Sequence, residues 1–356
     1  MRLLPRLIST RFFVAAAVCA AVLAPAKPID ALLPQPEPVT RLARLEYFES
    51  TAEKPSKGWQ ALHDQNLNQS KGLVLLIHGL DEPGSIWDNM APALCEHGYT
   101  AVRFEYPNDQ AIADSADALA QSLTALGNSG VSDITLVAHS MGGLVSLDAL
   151  TRPDMNRLNW PRVRRLVTLG TPTQGSALAP LRAVAEIREH AMRVFDDGAI
   201  GLDDLARIEG DGQGQAGTDL TPGSDFLTDL NSRSAPEVSI TAVVGKLDTV
   251  TGNEFRDQIL SNLPKQISDD EAAVVLASDF GNWAAGLFKR ATSTIGDGVV
   301  TTKSATNPWT EDIVFVKATH RSMVTDKPCP IRGKNPPPAI DVVLDRLEFD
   351  REAAGK

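Results

Sequence analysis

Short aliphatic runs alternate along this chain with stretches whose apolar residues recur every three or four positions. Leu73–Ile77 is an unbroken aliphatic run ending at His78-Gly79, the pattern of a strand buried on both faces. Ser85–His97 places Ile86, Met90 and Leu94 on one helical face, with Gly98 as a stop. Thr100–Tyr106 reads as the next strand and Ala111–Leu126 as the next helix, closed by Gly127. Ile134–Ala138 and Gly142–Leu150 repeat the strand-then-helix pair, and Arg165–Leu169 is a strand broken at Gly170-Thr171-Pro172. Val238–Val244, Ile313–Val316 and a closing helix at Ile340–Leu347 complete the series. Strands alternating with helices in this way predict an α/β fold with a mostly parallel, doubly wound sheet. Such sheets bind ligands at the carboxyl ends of their strands.

The rhythm breaks in three places. Residues 27–40 carry Pro28, Pro34, Pro36 and Pro38 and read as an extended leader into a domain spanning 41–350. Residues 175–235 hold a helical stretch, Ala177–Phe195, and the Gly- and Asp-rich segment Gly210–Gly223; residues 250–295 hold the apolar run Ala272–Phe288. Insertions this long between late strands are where a cap would sit. At the N-terminus, Arg2, Arg6 and Arg11 precede the apolar run Phe12–Ala24 and the small residues Ala24-Pro25-Ala26, so residues 1–26 read as a signal peptide. The run is short of the roughly 20 residues that span a bilayer.

Composition narrows the partners. Apolar residues make up 43% of the 356 positions and charged residues 22%, a balance that supports a sizeable core. Removing residues 1–26 takes three arginines and no acids from a net charge of −11, leaving −14. So acidic a surface argues against nucleic acid and against tight binding to an anionic membrane, leaving at most transient contact with a lipid surface. Beyond the leader, Cys95 and Cys329 either pair in an oxidising compartment or stay as two buried thiols.

The candidate chemistry lies at strand ends. Ala138-His139-Ser140-Met141-Gly142-Gly143 joins a strand to a helix, and a serine on so sharp a turn is lifted out with its Oγ exposed. The turn needs small residues two before and two after the serine; here they are Ala138 and Gly142. A tetrahedral intermediate on Ser140 needs two preorganised N–H donors. Met141, directly after the serine, supplies one, and Leu80, in His78-Gly79-Leu80, is the candidate for the other.

These two segments, Leu76–Leu80 and Val137–Gly143, resemble the bacterial secreted lipase and esterase branch of the α/β-hydrolases. Gly170-Thr171-Pro172 with Gly175-Ser176 resembles the segment after that branch's next strand. The resemblance implies an α/β-hydrolase fold and a Ser-His-Asp triad, whose members follow the chain order serine, acid, histidine. Only His190 and His320 follow Ser140, and His320, just after Ile313–Val316, stands where the base belongs. Two aspartates compete as the acid. Asp248 follows Val238–Val244 directly, whereas Gly296-Asp297-Gly298-Val299-Val300 resembles the acid turn of the lipases, so Asp297 is preferred.

The resemblance further implies a small-molecule or lipid ester as substrate, and the chemistry requires no cofactor; the apolar run Ala272–Phe288, with Phe280, Trp283 and Leu287, reads either as a lid over an acyl pocket or as a helix packed on the core. Some secreted lipases hold a structural calcium. Asp211–Asp219 lacks the ligand spacing of a known calcium loop, so a flexible turn is the expectation there. The same machinery serves a thioesterase, peptidase or acyltransferase, and a catalytically silent binding protein is the alternative of a different class.

Overall fold

Leu73–Ile77 has no polar position to turn towards water, so both of its faces must be covered. It becomes an interior strand. The computed structural model describes residues 43–51, 54–63, 67, 72–80, 82, 84–176, 215–246, 296–326 and 336–354. All of them belong to one of the chain's two units, Arg41–Lys356. The expected signal peptide and leader, Ala177–Phe195, His190, Asp248, Ala272–Phe288 and Cys329 lie outside the described residues. The half-buried Cys95 Sγ donates to Phe48 O at 3.8 Å.

The described strands form one sheet. They are β1 (Arg44–Thr51), β2 (Lys54–Ala61), β3 (Leu73–Ile77), β4 (Thr100–Glu105), β5 (Asp133–His139), β6 (Arg162–Leu169), β7 (Ser239–Gly245) and β8 (Ile313–Val316). Their spatial order is β2-β1-β4-β3-β5-β6-β7-β8. Strand β1 runs antiparallel to both β2 and β4, and β3 to β8 run parallel to one another. The helices are α1 (Met90–Glu96), α2 (Ile112–Asn128), α3 (Met141–Thr151), α4 (Gln215–Asp219), α5 (Asp225–Ser232), α6 (Thr302–Ala305) and α7 (Pro338–Ala354). This is the doubly wound, mostly parallel architecture that the hydrophobic pattern predicts.

Alternation along the strands divides the core between the two faces of the sheet. Leu75, Ile77, Val102, Phe104, Leu136 and Ala138 pack beneath α2 and α3, against residues such as Leu119, Leu123 and Leu144. Their neighbours Val74, Leu76, Val137, Val167, Leu169 and Val243 face Met90 and Leu94 of α1 and Ile340, Val343 and Leu347 of α7. A run with no polar position is therefore what β3, covered on both faces, requires.

Three elements differ from the sequence reading, each for a local reason. The helix expected over Ser85–His97 divides into a single 3-10 turn, Gly84–Trp87, and α1. Pro92 has no N–H and fits only near a helix start, so the α-helix begins again at Met90. Gly127 does not close α2, which continues to Asn128; it gives the helix room beside Asn159, whose carbonyl would lie 1.8 Å from an added Cβ. The β1–β2 hairpin was not anticipated, because its charged positions obscure the apolar set Leu45, Tyr47, Phe48 and Trp59 that it delivers to the two core layers.

Of the segment Asp211–Asp219, the described part from Gln215 is α4. The Asp219 carboxylate accepts from Ile112 N, at the start of α2, at 2.9 Å, and from Gln215 Nε2 at 2.9 Å. It thus satisfies one of the unpaired N–H groups at the helix start and favours the positive end of the helix dipole. Among the described residues no helix is long and apolar enough to cross a membrane. Replacing this buried cap, Asp219→Ala, is expected to lower the unfolding free energy by about 1–2 kcal/mol. Urea titration checks this; an unchanged midpoint would remove Asp219 from the account of α2.

Candidate active site

The turn after β5 forces Ser140 into an unusual backbone conformation, φ 53° and ψ −127°. Among the described residues it is the one non-glycine with positive φ. Such a conformation costs on the order of 1–3 kcal/mol and persists only where the surroundings dictate it. Here they do. Ser140 N–H donates to Leu169 O of β6 at 2.9 Å, and Gly143 N–H donates to Ser140 O at 3.1 Å as α3 begins. Gly142 allows the helix to start this close to the sheet, since a Cβ there would lie 2.4 Å from Ile77 O. Ala138, two residues before Ser140, is fully buried between Ile77 of β3 and Thr168 of β6. Its methyl group joins the core, which explains why alanine serves where this motif more often has glycine.

Strand β3 ends beside this turn. A Cβ on Gly79 would come 2.7 Å from Ser140 Cβ, so the His78-Gly79-Leu80 backbone lies directly against the serine. Its path is fixed by several hydrogen bonds. Tyr106 Oη donates to His78 O at 2.7 Å while its ring stacks on His78, and Asn108 Nδ2 donates to Gly79 O at 3.3 Å. Gly79 N–H donates to Glu82 Oε2 at 3.0 Å. Met141 opens α3, so its N–H belongs to the first helical turn, where no partner within the helix is available.

Asp297 and His320 meet beside the residue that precedes Ser140, the His139 and His320 ring centroids lying 4.6 Å apart. Asp297 Oδ2 accepts from His320 Nδ1 at 2.8 Å, and both residues are buried. The second carboxylate oxygen accepts from Val299 N at 2.9 Å and Val300 N at 2.8 Å, so the turn itself aims the group. His320 N–H returns a bond to Asp297 O at 3.0 Å. Asp297 lies against the end of β7, where a Cβ on Gly245 would be 2.6 Å from its Cβ. An acid far along the chain thereby reaches the strand end that Asp248 follows in sequence.

The segment after β6 closes over this pair. Gly170 has φ +60°, and a Cβ there would lie 2.9 Å from Asp297 Oδ2 and 3.1 Å from His320 Nδ1. Thr173 Oγ1 donates to Ser304 O and Ser304 Oγ to Gly175 O, both at 2.7 Å, tying Gly170–Ser176 to α6, which follows the Asp297 turn. Burial pushes the His320 pKa down. The Asp297 charge and hydrogen bond, supported by Glu82 and opposed by Arg321, outweigh burial and leave it above the ordinary 6.5.

Sequence reasoning missed two members of this cluster. His139 Nδ1 lies 2.6 Å from Glu82 Oε2, and His139 Nε2 lies 2.8 Å from His320 O. The His139 and His320 rings are 4.6 Å apart between centroids. Glu82 is buried, which pushes its pKa up, yet neighbouring His139 pulls it to about 2. The available signals were an acid just after the Gly79 turn and a histidine beside the serine. His139 was set aside because a triad base must follow the nucleophile.

The model of the alpha/beta hydrolase family matches residues 74–328. No curated protein matches the chain. Among solved structures, the mature Bacillus licheniformis lipase BlEst2 is similar at 23% identity, with 78% of this chain and 92% of that one covered and a TM-score of 0.48. A metagenomic carboxyl esterase aligns at 15% identity over 94% of this chain and 99% of its own, with a TM-score of 0.49. A structure from a study of Nitrososphaera gargenis carboxylesterases aligns at 13% identity over 86% and 99%, with a TM-score of 0.41.

Two variants probe this geometry. Ser140→Gly relieves the backbone strain and is expected to raise unfolding stability by about 1 kcal/mol; an equal or lower thermal midpoint contradicts the strained turn. Gly170→Ala places a methyl group on the Asp297–His320 bond at a positive φ. It is expected to destabilise the fold by more than about 1 kcal/mol, measurable by denaturant titration.

Proposed function

The chain belongs to the alpha/beta hydrolase family, and we propose that it cleaves carboxylic esters through an acyl-enzyme formed on Ser140. The observation that carries this reading is the buried Asp297–His320 bond beside a serine held at φ 53°. With Nδ1–H given to Asp297, His320 keeps Nε2 free of a proton and able to accept one.

In the proposed reaction Ser140 Oγ attacks the ester carbonyl carbon as His320 Nε2 takes its proton. The carbonyl oxygen becomes an oxyanion held by the N–H groups of Met141 and Leu80. His320 then gives the proton to the departing alkoxide, which leaves as the alcohol. A water, deprotonated by the same nitrogen, attacks the acyl carbon and releases the carboxylic acid with Ser140 restored. Asp297 orients and stabilises the imidazolium formed in each half. Every step is carried by side chains and backbone N–H groups of the chain, plus water.

Lipid or other acyl esters are the substrate class in this proposal, and residues 1–26 are proposed to direct the enzyme out of the cytoplasm. Hydrolysis of p-nitrophenyl esters of increasing acyl length tests both activity and acyl preference. Ser140→Ala is expected to lower kcat on the order of 10⁴–10⁶-fold, and Asp297→Asn by about 10⁴-fold. Wild-type turnover in a folded Asp297→Asn protein would return Asp248 as the acid. Protonated His320 accepts nothing, and its pKa is raised, so kcat/KM should fall as pH drops through a midpoint above 6.5. A midpoint below 6.5 contradicts the Asp297 pairing.

A further inference from the structure

Three segments must keep register for the proposed reaction: the Gly79 loop, the Ser140 turn and the His320 loop. The triad does not itself connect the first to the last. A second, separate chain of buried hydrogen bonds does. Gly79 N–H donates to Glu82 Oε2 at 3.0 Å, the same oxygen lies 2.6 Å from His139 Nδ1, and His139 Nε2 lies 2.8 Å from His320 O.

We propose that Glu82 and His139 are positioning residues that set the His320 imidazole and the Gly79 loop relative to Ser140. The inference rests on the serine-hydrolase reading above. Its basis is the geometry. A backbone carbonyl only accepts, so His139 donates Nε2–H to His320 O and turns its other nitrogen to Glu82. His320 is therefore held by two residues through three bonds. Asp297 fixes the imidazole through Nδ1 and the backbone through its own carbonyl oxygen, while His139 fixes the carbonyl of the same residue. On the opposite flank, Glu82 holds the N–H of the residue before Leu80, the proposed oxyanion donor.

The burial of these groups makes the arrangement one that geometry must complete. His139 is fully buried and Glu82 nearly so, and a buried carboxylate or imidazole without partners is costly. The two side chains satisfy one another, and their further bonds named above go to the Gly79 N–H and the His320 carbonyl of the two loops. Those loops gain a fixed separation in return. A displacement of about 1 Å in such an arrangement costs up to about 10²-fold in rate, so the expected signature is a loss in kcat with substrate binding retained.

A cation held by Glu82, His139 and His320 would compete with this arrangement, since their donor atoms lie within 4.8 Å of one another. The hydrogen bonds already made favour positioning. His320 Nδ1 is engaged by Asp297, and His139 Nδ1 is engaged by Glu82.

The test exploits the likeness of asparagine to the Nδ1 side of histidine and of glutamine to its Nε2 side. His139→Asn keeps a donor towards Glu82 and loses the bond to His320 O; His139→Gln does the reverse. Each is compared with wild type for kcat and KM on a p-nitrophenyl ester, and for the rate of Ser140 labelling by a fluorophosphonate. His139→Asn is expected to lose about 10–100-fold in kcat and in labelling rate with KM nearly unchanged, and His139→Gln to recover a large part of both. Equal losses in the two folded variants, or wild-type kcat in His139→Asn, would overturn the proposal. Should His139→Asn not fold, Glu82→Gln carries the test. It keeps the side-chain shape but loses the charge, and a wild-type kcat there overturns the proposal as well. Wild-type protein that is folded but unlabelled at Ser140 would instead overturn the serine-hydrolase reading, which separates the two failures.

Discussion

The active region depends on one backbone constraint, the positive φ that the sheet imposes on Ser140. Strand β5 lies between β3 and β6, so the chain leaving it can rise only at the carboxyl end and must turn at once into α3. The turn stays tight because Gly142 lets the backbone approach Ile77 and because Leu169 accepts the Ser140 N–H. The strain of the turn is offset by the packing of the large apolar layers on both sides of the sheet. The serine is thus placed by the core and does not depend on its own side-chain contacts.

The same constraint explains how distant parts of the chain converge. Gly79 and Leu80 follow β3, Gly170 follows β6, Gly245 ends β7 and His320 follows β8. Parallel strands deliver all of these to the carboxyl end of the sheet. Asp297 arrives from far beyond β7 in the sequence and is locked by three acceptor contacts to His320, Val299 and Val300. The Val299 and Val300 N–H groups engage one carboxylate oxygen and leave the other to His320.

Much of this was legible in the hydrophobic pattern, for physical reasons that vary by element. Strands such as Leu73–Ile77 and Val238–Val244 announce themselves because both faces are buried. The β1–β2 hairpin does not, since its charged positions mask an apolar set shared between two core layers. Helix limits were blurred where a residue serves packing, as Gly127 does beside Asn159, or where Pro92 restarts the helix. Ser140 and His320 were singled out from motif and chain order, as candidates. Glu82 and His139 could not be, because their contact joins residues 57 positions apart and no local pattern records it.

The central claim is that Ser140 becomes acylated during turnover. Rapid quenching of the protein in acid during p-nitrophenyl ester hydrolysis, followed by peptide mass spectrometry, tests it directly. The account predicts an acyl adduct on the peptide containing Ser140, which disappears as substrate is exhausted. Turnover with that peptide unmodified, or with the acyl group on another residue, would contradict it.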